Sequence, residues 1–267
     1  MQLQSLPART GLQWVKLGVR TFLRQPLALA GLFFIFMAAM SVASMFPIIG
    51  SALALAMLPA ATLGLMAATA QASAGNFPMP SVLVSAFRAG QQRARAMLTL
   101  GALYAVGFIA IMGLSALVDG GDFARLYLMG GKIDQDTVTD PDFQAATLVA
   151  MALYLPLSLL FWHAPALVHW YGVPPVKALF FSIVACMRNF GAYLVYGVGW
   201  LVVFLISGLI VTSLTSVLGS PELAAAVMLP TALIMAAMFF TSVFFTFRDT
   251  FVPPHHGPDG QGFSSLA

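Results

Sequence analysis

The sequence predicts an all-α polytopic membrane bundle, with six transmembrane helices, about three cytoplasmic interfacial amphipathic helices and a threefold internal repeat. Three observations predict this class. Hydrophobic residues make up 60% of the chain and charged residues only 8%, whereas soluble domains contain roughly 25% charged residues. Six apolar runs are long enough for the helix of about 20 residues that crosses a bilayer. The alternation of period two that marks a β-barrel strand is absent from them.

The apolar runs contain no Asp, Glu, Lys or Arg, and each is predicted to be a helix because a helix satisfies its own backbone hydrogen bonds in lipid. The first run is longer than the core of roughly 7–15 residues in a signal peptide, so we expect it to remain as a span. The single cysteine allows no intrachain disulfide. The runs cover residues 27–46, 48–70, 97–118, 145–168, 192–217 and 223–247.

Basic residues predict the orientation, because short cytoplasmic loops retain Lys and Arg. They precede span one, separate spans two and three, separate spans four and five, and follow span six. The opposite loops carry seven carboxylates against Arg125 and Lys132. Both termini are therefore predicted to be cytoplasmic. The basic residues on that side are Arg9, Lys16, Arg20, Arg24, Arg88, Arg93, Arg95, Lys177, Arg188 and Arg248.

Three basic amphipathic segments, 11–25, 80–95 and 174–190, precede spans one, three and five. In the first, the cations recur at i, i+4 and i+8, so they form one basic edge on a helix. The third has an apolar stripe at helical spacing, with its basic residues off the stripe. The members of that stripe are Val176, Leu179, Phe180, Ile183, Val184 and Met187.

Proline recurs near the middle of the even-numbered spans, at Pro59, Pro156 and Pro230, and is predicted to kink each of these helices. Together with the basic segments, the prolines predict three divergent repeats in one transmembrane domain, 1–250, followed by a disordered cytoplasmic tail, 251–267. The alternative is that membrane helices tolerate proline and the three align by chance. The predicted repeat units are about 11–70, 80–168 and 174–247.

Three stretches carry a resemblance to a known family: "PARTGLQWVKLGVRTFLRQPLALAGLFF", "FWHAPALVHWYGVPPVKALFFSIVAC" and "MAAMFFTSVFFTFRD". Over nearly the whole chain the sequence resembles a family of uncharacterised six-span bacterial inner-membrane proteins. More loosely, the order of apolar span, "APALV", turn and basic amphipathic helix is similar to the membrane domain attached to some glycerophosphodiester phosphodiesterases. The resemblance implies a shared membrane scaffold and assigns no functional residues.

Polar residues of the spans offer few catalytic groups. His163 and His169 are predicted to be interfacial anchors within an aromatic belt, with a substrate or proton site and a metal site as alternatives. The acidic loop 119–142 could attract a divalent cation, but it lacks the full EF-hand pattern. Carboxylates and histidines are expected on opposite sides of the membrane, which argues against an enzyme. The spans contain no acidic residue at mid-membrane, which argues against an ion-coupled pump. No cofactor or metal site is predicted.

Two function classes remain. The first is a noncatalytic protein that organises lipid, chiefly anionic lipid, or a partner protein in the bacterial inner membrane. The second is a permease-like path for a small or amphipathic solute, not ion-coupled, because transporters break helices at a binding site. Nucleic-acid binding is not expected, since the cations are dispersed among membrane-flanking segments. The predicted headgroup ligands are Lys16, Arg20, Arg24, Arg88, Arg93, Arg95, Lys177 and Arg188.

Overall fold

The computed structural model describes residues 1–46, 49–130, 134–217 and 221–252, and most of them are helical. A short 3-10 helix, Pro80–Val84, lies between α3 and α4. In chain order the other elements are β1 (Gln2–Leu3), α1 (Thr10–Arg24), α2 (Pro26–Ser44), α3 (Gly50–Ser73), α4 (Ser85–Arg88), α5 (Gln91–Asp119), α6 (Asp122–Met129), α7 (Gln135–Thr139), α8 (Pro141–Phe161), α9 (Ala164–Tyr171), α10 (Pro175–Arg188), α11 (Phe190–Val217), α12 (Pro221–Thr250) and β2 (Phe251–Val252).

Within the described residues, six helical segments are long and apolar enough to cross a membrane, which confirms the predicted all-α polytopic class. The fourth combines α8 and α9, and the others lie in α2, α3, α5, α11 and α12. Asp140 opens α8, since its carboxylate accepts a hydrogen bond from the Asp142 backbone N–H at 2.8 Å. The segments are Pro26–Ser44, Gly50–Ser73, Gln91–Asp119, Pro141–Tyr171, Phe190–Ser216 and Ala226–Thr250.

The three repeated prolines lie inside helices α3, α8 and α12, none of which is interrupted at its proline. Their surroundings differ, because Pro59 is buried whereas Pro156 and Pro230 are exposed. The predicted kinks therefore do not break these helices. The threefold repeat stays a prediction.

The second basic segment is not the single helix predicted for 80–95. The 3-10 helix is followed by the four-residue α4, and Gly90 then adopts a φ of 99°, a conformation that is readily accessible only to glycine. Helix α5 begins at the next residue, Gln91. Arg93 and Arg95 consequently belong to the start of the third span, and Arg88 to the preceding short helix.

Helix α10 buries a side made of small residues, whereas an amphipathic helix normally buries its large apolar residues. Ala178, Ser182 and Ala185 are fully buried, whereas Val176 and Phe180 of the predicted stripe are 71% and 60% exposed. Small residues allow close approach between helices in a membrane protein, where lipid can cover the larger apolar side chains. Val176, Phe180 and Met187 of the stripe therefore face outward, and its other members are half-buried.

The described residues form two compact units. The first comprises Met1–Phe36, Thr62–Ser85 and Val184–Ala267, as far as these ranges are described. In it α1 packs against α11 and α12, and β1 pairs with β2 in antiparallel register, Gln2 opposite Val252. The predicted disordered tail, 251–267, is thus wrong for its first two residues, and 253–267 lie outside the described residues.

Asn189 fixes the N-terminal segment within this first unit. Its side-chain oxygen accepts a hydrogen bond from the Leu6 backbone N–H at 2.7 Å. Its side-chain NH₂ donates to the carbonyls of Gln4 and Ala185, both at 3.1 Å. Buried polar groups are stable only when hydrogen-bonded, and this amide meets that requirement by holding the chain just ahead of α1.

The second unit comprises Met37–Ala61 and Ala86–Ile183, as far as described, and has the α5–α8 pair as its centre. Helix α6 folds back beside this pair. The Asp119 carboxylate fixes the reversal by accepting hydrogen bonds from the backbone N–H groups of Gly121 at 2.9 Å and Phe123 at 2.7 Å. A further bond, from the Ser51 hydroxyl to the Leu128 carbonyl at 3.0 Å, ties the end of α6 to the start of α3.

Candidate functional site

Three cations share one exposed face of α1. Lys16, Arg20 and Arg24 are all exposed, and the i, i+4 spacing places neighbours about 6 Å apart. On the same face Leu12 is 45% and Leu23 is 61% exposed. We call Lys16, Arg20 and Arg24 the α1 basic edge. Apolar side chains beside cations are typical of a helix that lies at a membrane surface.

The opposite face of α1 is packed at backbone distance against α11 and α12. A Cβ atom added to Gly11 would meet the Ala192 carbonyl oxygen and would lie 2.6 Å from the Tyr196 backbone nitrogen. A Cβ atom added to Gly18 would meet Ser242, at 2.8 Å from its Cα. Only glycine permits these approaches. The α1 basic edge is therefore held outward by a tightly fitted inner face.

Trp14 anchors the same inner face through a polar contact. The indole is fully buried, and its Nε1–H donates to the Asp249 carboxylate at 2.9 Å. Asp249 also pairs with Arg248 at 2.8 Å, and the Arg248 guanidinium lies 4.9 Å above the centre of the Phe245 ring. The Asp249 carboxylate therefore already has two partners, the Trp14 indole and the Arg248 guanidinium.

The other predicted headgroup ligands are exposed as well. Arg93 and Arg95 lie near the N-terminus of α5, where the helix dipole disfavours cations, so helix stability does not account for their position. In the described part of the chain the ion pairs are Arg248–Asp249 and Arg125–Asp122, the latter at 3.9 Å. None of the predicted ligands takes part in these pairs: Lys16, Arg20, Arg24, Arg88, Arg93, Arg95, Lys177 and Arg188.

The fourth span is interrupted at Trp162–His163, which begins six residues after Pro156. Proline at 165 lacks an N–H group and clashes with the carbonyl one turn before it. Ser182 of α10 fills the gap: its hydroxyl accepts a hydrogen bond from the His163 backbone N–H at 2.9 Å and donates to the Leu159 carbonyl at 2.7 Å. The hydroxyl therefore bridges two groups that an unbroken α-helix would join directly.

The two histidines do not share an environment. His163 is fully buried at the break, and its predicted role as an interfacial anchor stays a prediction. His169 is half-buried in α9, and its predicted role stays a prediction. The sequence interpretation missed Ser182 because its partners are 19 and 23 residues away. Pro165 was the available signal, since it marks a break that needs an outside hydrogen-bonding group.

A cavity of about 150 Å³ lies in the second unit. Helix α5 contributes Phe108 and Met112, α6 contributes Phe123 and Tyr127, and α8 contributes Tyr154 and Ala150. Burial, and secondarily the neighbouring Tyr154, raise the pKa of Tyr127, so this phenol stays neutral at physiological pH. Sequence patterns did not predict the cavity, because it depends on the reversal of the chain into α6.

Three carboxylates of the acidic loop have contacts that serve local structure. Asp119 and Asp140 accept backbone hydrogen bonds at the start of α6 and α8, and Asp122 pairs with Arg125. Among the residues with described positions, no three His, Cys, Asp or Glu side chains are grouped as a metal site would require. The loop thus offers capping groups rather than a formed cation site in these ranges.

Comparison with known proteins identifies the class of membrane protein. The chain is 40% identical over 254 residues to a protein of Burkholderia thailandensis described as "Probable inner membrane protein", and the match covers 94% of each chain. No family model matches the sequence, and no solved structure matches it. The chain belongs to the same family as this Burkholderia protein and is a multi-pass protein of the bacterial inner membrane.

Proposed function

We propose that this inner-membrane protein is noncatalytic and organises anionic lipid, or a partner protein that carries acidic groups, through the α1 basic edge. The observation that carries the proposal is the combination of three exposed cations, which form no ion pair among the described residues, with an inner face locked against α11 and α12. Because α1 is fixed against α11 and α12, its three cations keep a constant spacing at which they can bind lipid headgroups.

The depth at which α1 crosses α12 supports lipid as the ligand. Gly18 meets Ser242, which precedes the charged Arg248 by six residues, or about 9 Å along a helix. Interfacial helices lie roughly 5–10 Å into the boundary between headgroups and acyl chains. Leu12 and Leu23 beside the cations fit that boundary, whereas a soluble acidic partner would leave them exposed to water.

The proposal requires α1 to lie on the cytoplasmic side, and this orientation has its own test. We expect Ala74→Cys, after α3, to be protected from a membrane-impermeant maleimide added to spheroplasts, and Asp136→Cys, in α7, to react. The native Cys186 is buried and provides the unreactive background. Both introduced sites should label after permeabilisation. Labelling of Ala74→Cys alone in intact spheroplasts would reverse the orientation.

Replacing Lys16, Arg20 and Arg24 with Gln should reduce bound phosphatidylglycerol and cardiolipin. Each basic residue near an anionic surface contributes about 1 kcal/mol, so the triple variant should bind these headgroups up to about 100-fold more weakly. Native mass spectrometry of the full chain released from lipid nanodiscs measures the occupancy. Added salt should weaken binding by the wild type more than by the variant.

A charge-retaining variant is the matched control: Lys16→Arg with Arg20→Lys and Arg24→Lys should keep most of the occupancy. Unchanged anionic-lipid occupancy in a correctly inserted Gln variant would contradict the proposal.

Unchanged occupancy would also favour the second candidate function, a permease-like path for a small or amphipathic solute without ion coupling. The break in span four beside buried His163 is the observation that supports that candidate, and solute flux into proteoliposomes is its measurement.

A further inference from the structure

The cavity of the second unit has features of a small-molecule site, independent of the α1 basic edge. Its walls come mainly from aromatic side chains. The Phe108 ring lies 5.5 Å from the Tyr127 ring and 6.1 Å from the Tyr154 ring, and the second pair meets at 86°. Aromatic rings favour such tilted and edge-to-face contacts. A further flat ring of similar size can therefore pack among them.

The volume sets the size of that ring. The cavity measures about 150 Å³, and an apolar protein cavity of roughly this size, engineered in another protein, stays dry and binds benzene. Access is open on one side, because Tyr127 is 64% and Met151 is 65% exposed at the rim. A single six-membered ring with a short substituent fits, whereas a complete lipid chain does not.

One wall supplies a hydrogen-bond donor. The hydroxyls of Tyr104 and Tyr154 are 3.3 Å apart, and Tyr104 is only 7% exposed. Among the described residues this is the one hydrogen bond that either hydroxyl makes, so the pair, which has two hydroxyl protons, uses only one of them. If buried Tyr104 donates to Tyr154, the proton of Tyr154, a residue that is 42% exposed, is left to donate to a bound molecule.

We propose that this cavity binds a single-ring aromatic molecule with one carbonyl acceptor, such as an aryl ketone. The ring would pack among Phe108, Phe123 and Tyr127, and the carbonyl oxygen would accept the hydrogen bond from Tyr154. Ala150, at 3% exposure, leaves the space that the ring fills. Helix α6 closes one side, because the Asp119 carboxylate and Ser51 hold it in place.

The test is ligand-observed fluorine NMR on the full chain in nanodiscs, with 4-fluoroacetophenone as the probe. Its matched control is 4-fluoro-α-methylstyrene, in which a CH₂ group replaces the carbonyl oxygen at nearly the same shape. We expect saturable binding above the partition into empty nanodiscs. We also expect a preference for the ketone of about threefold to tenfold, the range for one hydrogen bond.

Two substitutions locate the site. Tyr154→Phe should remove the preference for the ketone, and Ala150→Leu should abolish saturable binding by filling the cavity. Ala110→Leu, at an exposed position of α5, is the control for the added bulk. A size-exclusion elution profile and a far-UV circular dichroism spectrum that match the wild type check that each variant is folded.

Equal affinity for ketone and alkene in the wild type would overturn the proposal, and this comparison needs no variant. A ketone preference that survives Tyr154→Phe, or saturable binding that survives Ala150→Leu, would also overturn it. Failure here leaves the lipid proposal intact, because Lys16, Arg20 and Arg24 do not line the cavity. Conversely, loss of the lipid proposal leaves this binding assay unchanged.

Discussion

Gly18→Ala is expected to destabilise the first unit, although it adds only a methyl group. The new Cβ would lie 2.8 Å from the Ser242 Cα, a distance that forces backbone movement. Ser242 is also a hydrogen-bonding centre, since it lies 2.6 Å from the Tyr196 hydroxyl and accepts from the Trp200 indole at 3.1 Å. Overpacking of this kind costs about 1–3 kcal/mol, and loss of the hydroxyl contacts adds to that cost.

Cys186 makes this effect measurable. It is the single cysteine of the chain, and burial raises the pKa of its thiol to about 12, although a hydrogen bond with Tyr193 opposes the shift. Maleimide reacts with the thiolate, so the native protein should label slowly and the unfolded protein fast. Gly18→Ala should shift the labelling transition to a lower temperature.

Gly31→Ala is the matched control for Gly18→Ala. It lies in α2 of the same unit, and a Cβ added there would have nothing within 4 Å. Alanine improves helix propensity by up to about 1 kcal/mol relative to glycine, so this variant should be as stable as the wild type or more stable. Equal transition temperatures for Gly18→Ala and Gly31→Ala would contradict the close packing of α1.

The spans could be predicted from the sequence because each depends on a local quantity, an uninterrupted apolar length. The start of α8 could be predicted for the same reason, since Asp140 and Pro141 act within one turn. The exposed position of the α1 basic edge also follows from local spacing. In these cases the residues that determine the structure are neighbours in the chain.

The remaining differences arise where tertiary contacts decide between local alternatives. The 80–95 segment has helical periodicity on both sides of Gly90, and the positive φ of that residue divides it. In α10 the periodicity identifies an apolar stripe but not the direction it faces, and small residues on the other side are the fully buried ones. A membrane protein can cover Phe180 with lipid, so apolar character alone does not tell inside from outside.

The same reasoning explains why the candidate sites were only partly predicted. Charge patterning indicates the α1 basic edge, because exposed cations need no partner from a distant segment. His163 was predicted from residue type and depth, without the contact to α10 that buries it. Ser182 and the Tyr104–Tyr154 pair depend on side chains brought together across the fold, at separations of 19 and 50 residues.

Ser182→Ala is expected to have the largest effect in the second unit, because one hydroxyl serves both sides of the break in span four. Without it, the His163 N–H and the Leu159 carbonyl would lose their described partner in a buried region. Each unsatisfied group costs about 1–3 kcal/mol. Measured interhelical hydrogen bonds in a membrane protein are weaker, about 0.6 kcal/mol on average, but those values describe one bond, whereas the Ser182 hydroxyl makes two.

Cys186 reports this change directly, since it follows Ser182 by one turn of α10. We expect Ser182→Ala to label faster with maleimide at 25 °C and to have a lower transition temperature than the wild type. Ser158→Ala is the control: the half-buried Ser158 donates its hydroxyl to the Leu155 carbonyl of its own helix and to no other described helix, so its loss should change stability by less than about 0.5 kcal/mol. If both alanine variants match the wild type, α8 and α9 close the break by themselves and Ser182 does not hold it. If only Ser182→Ala is labile, the hydroxyl bridge is what stabilises the interrupted span.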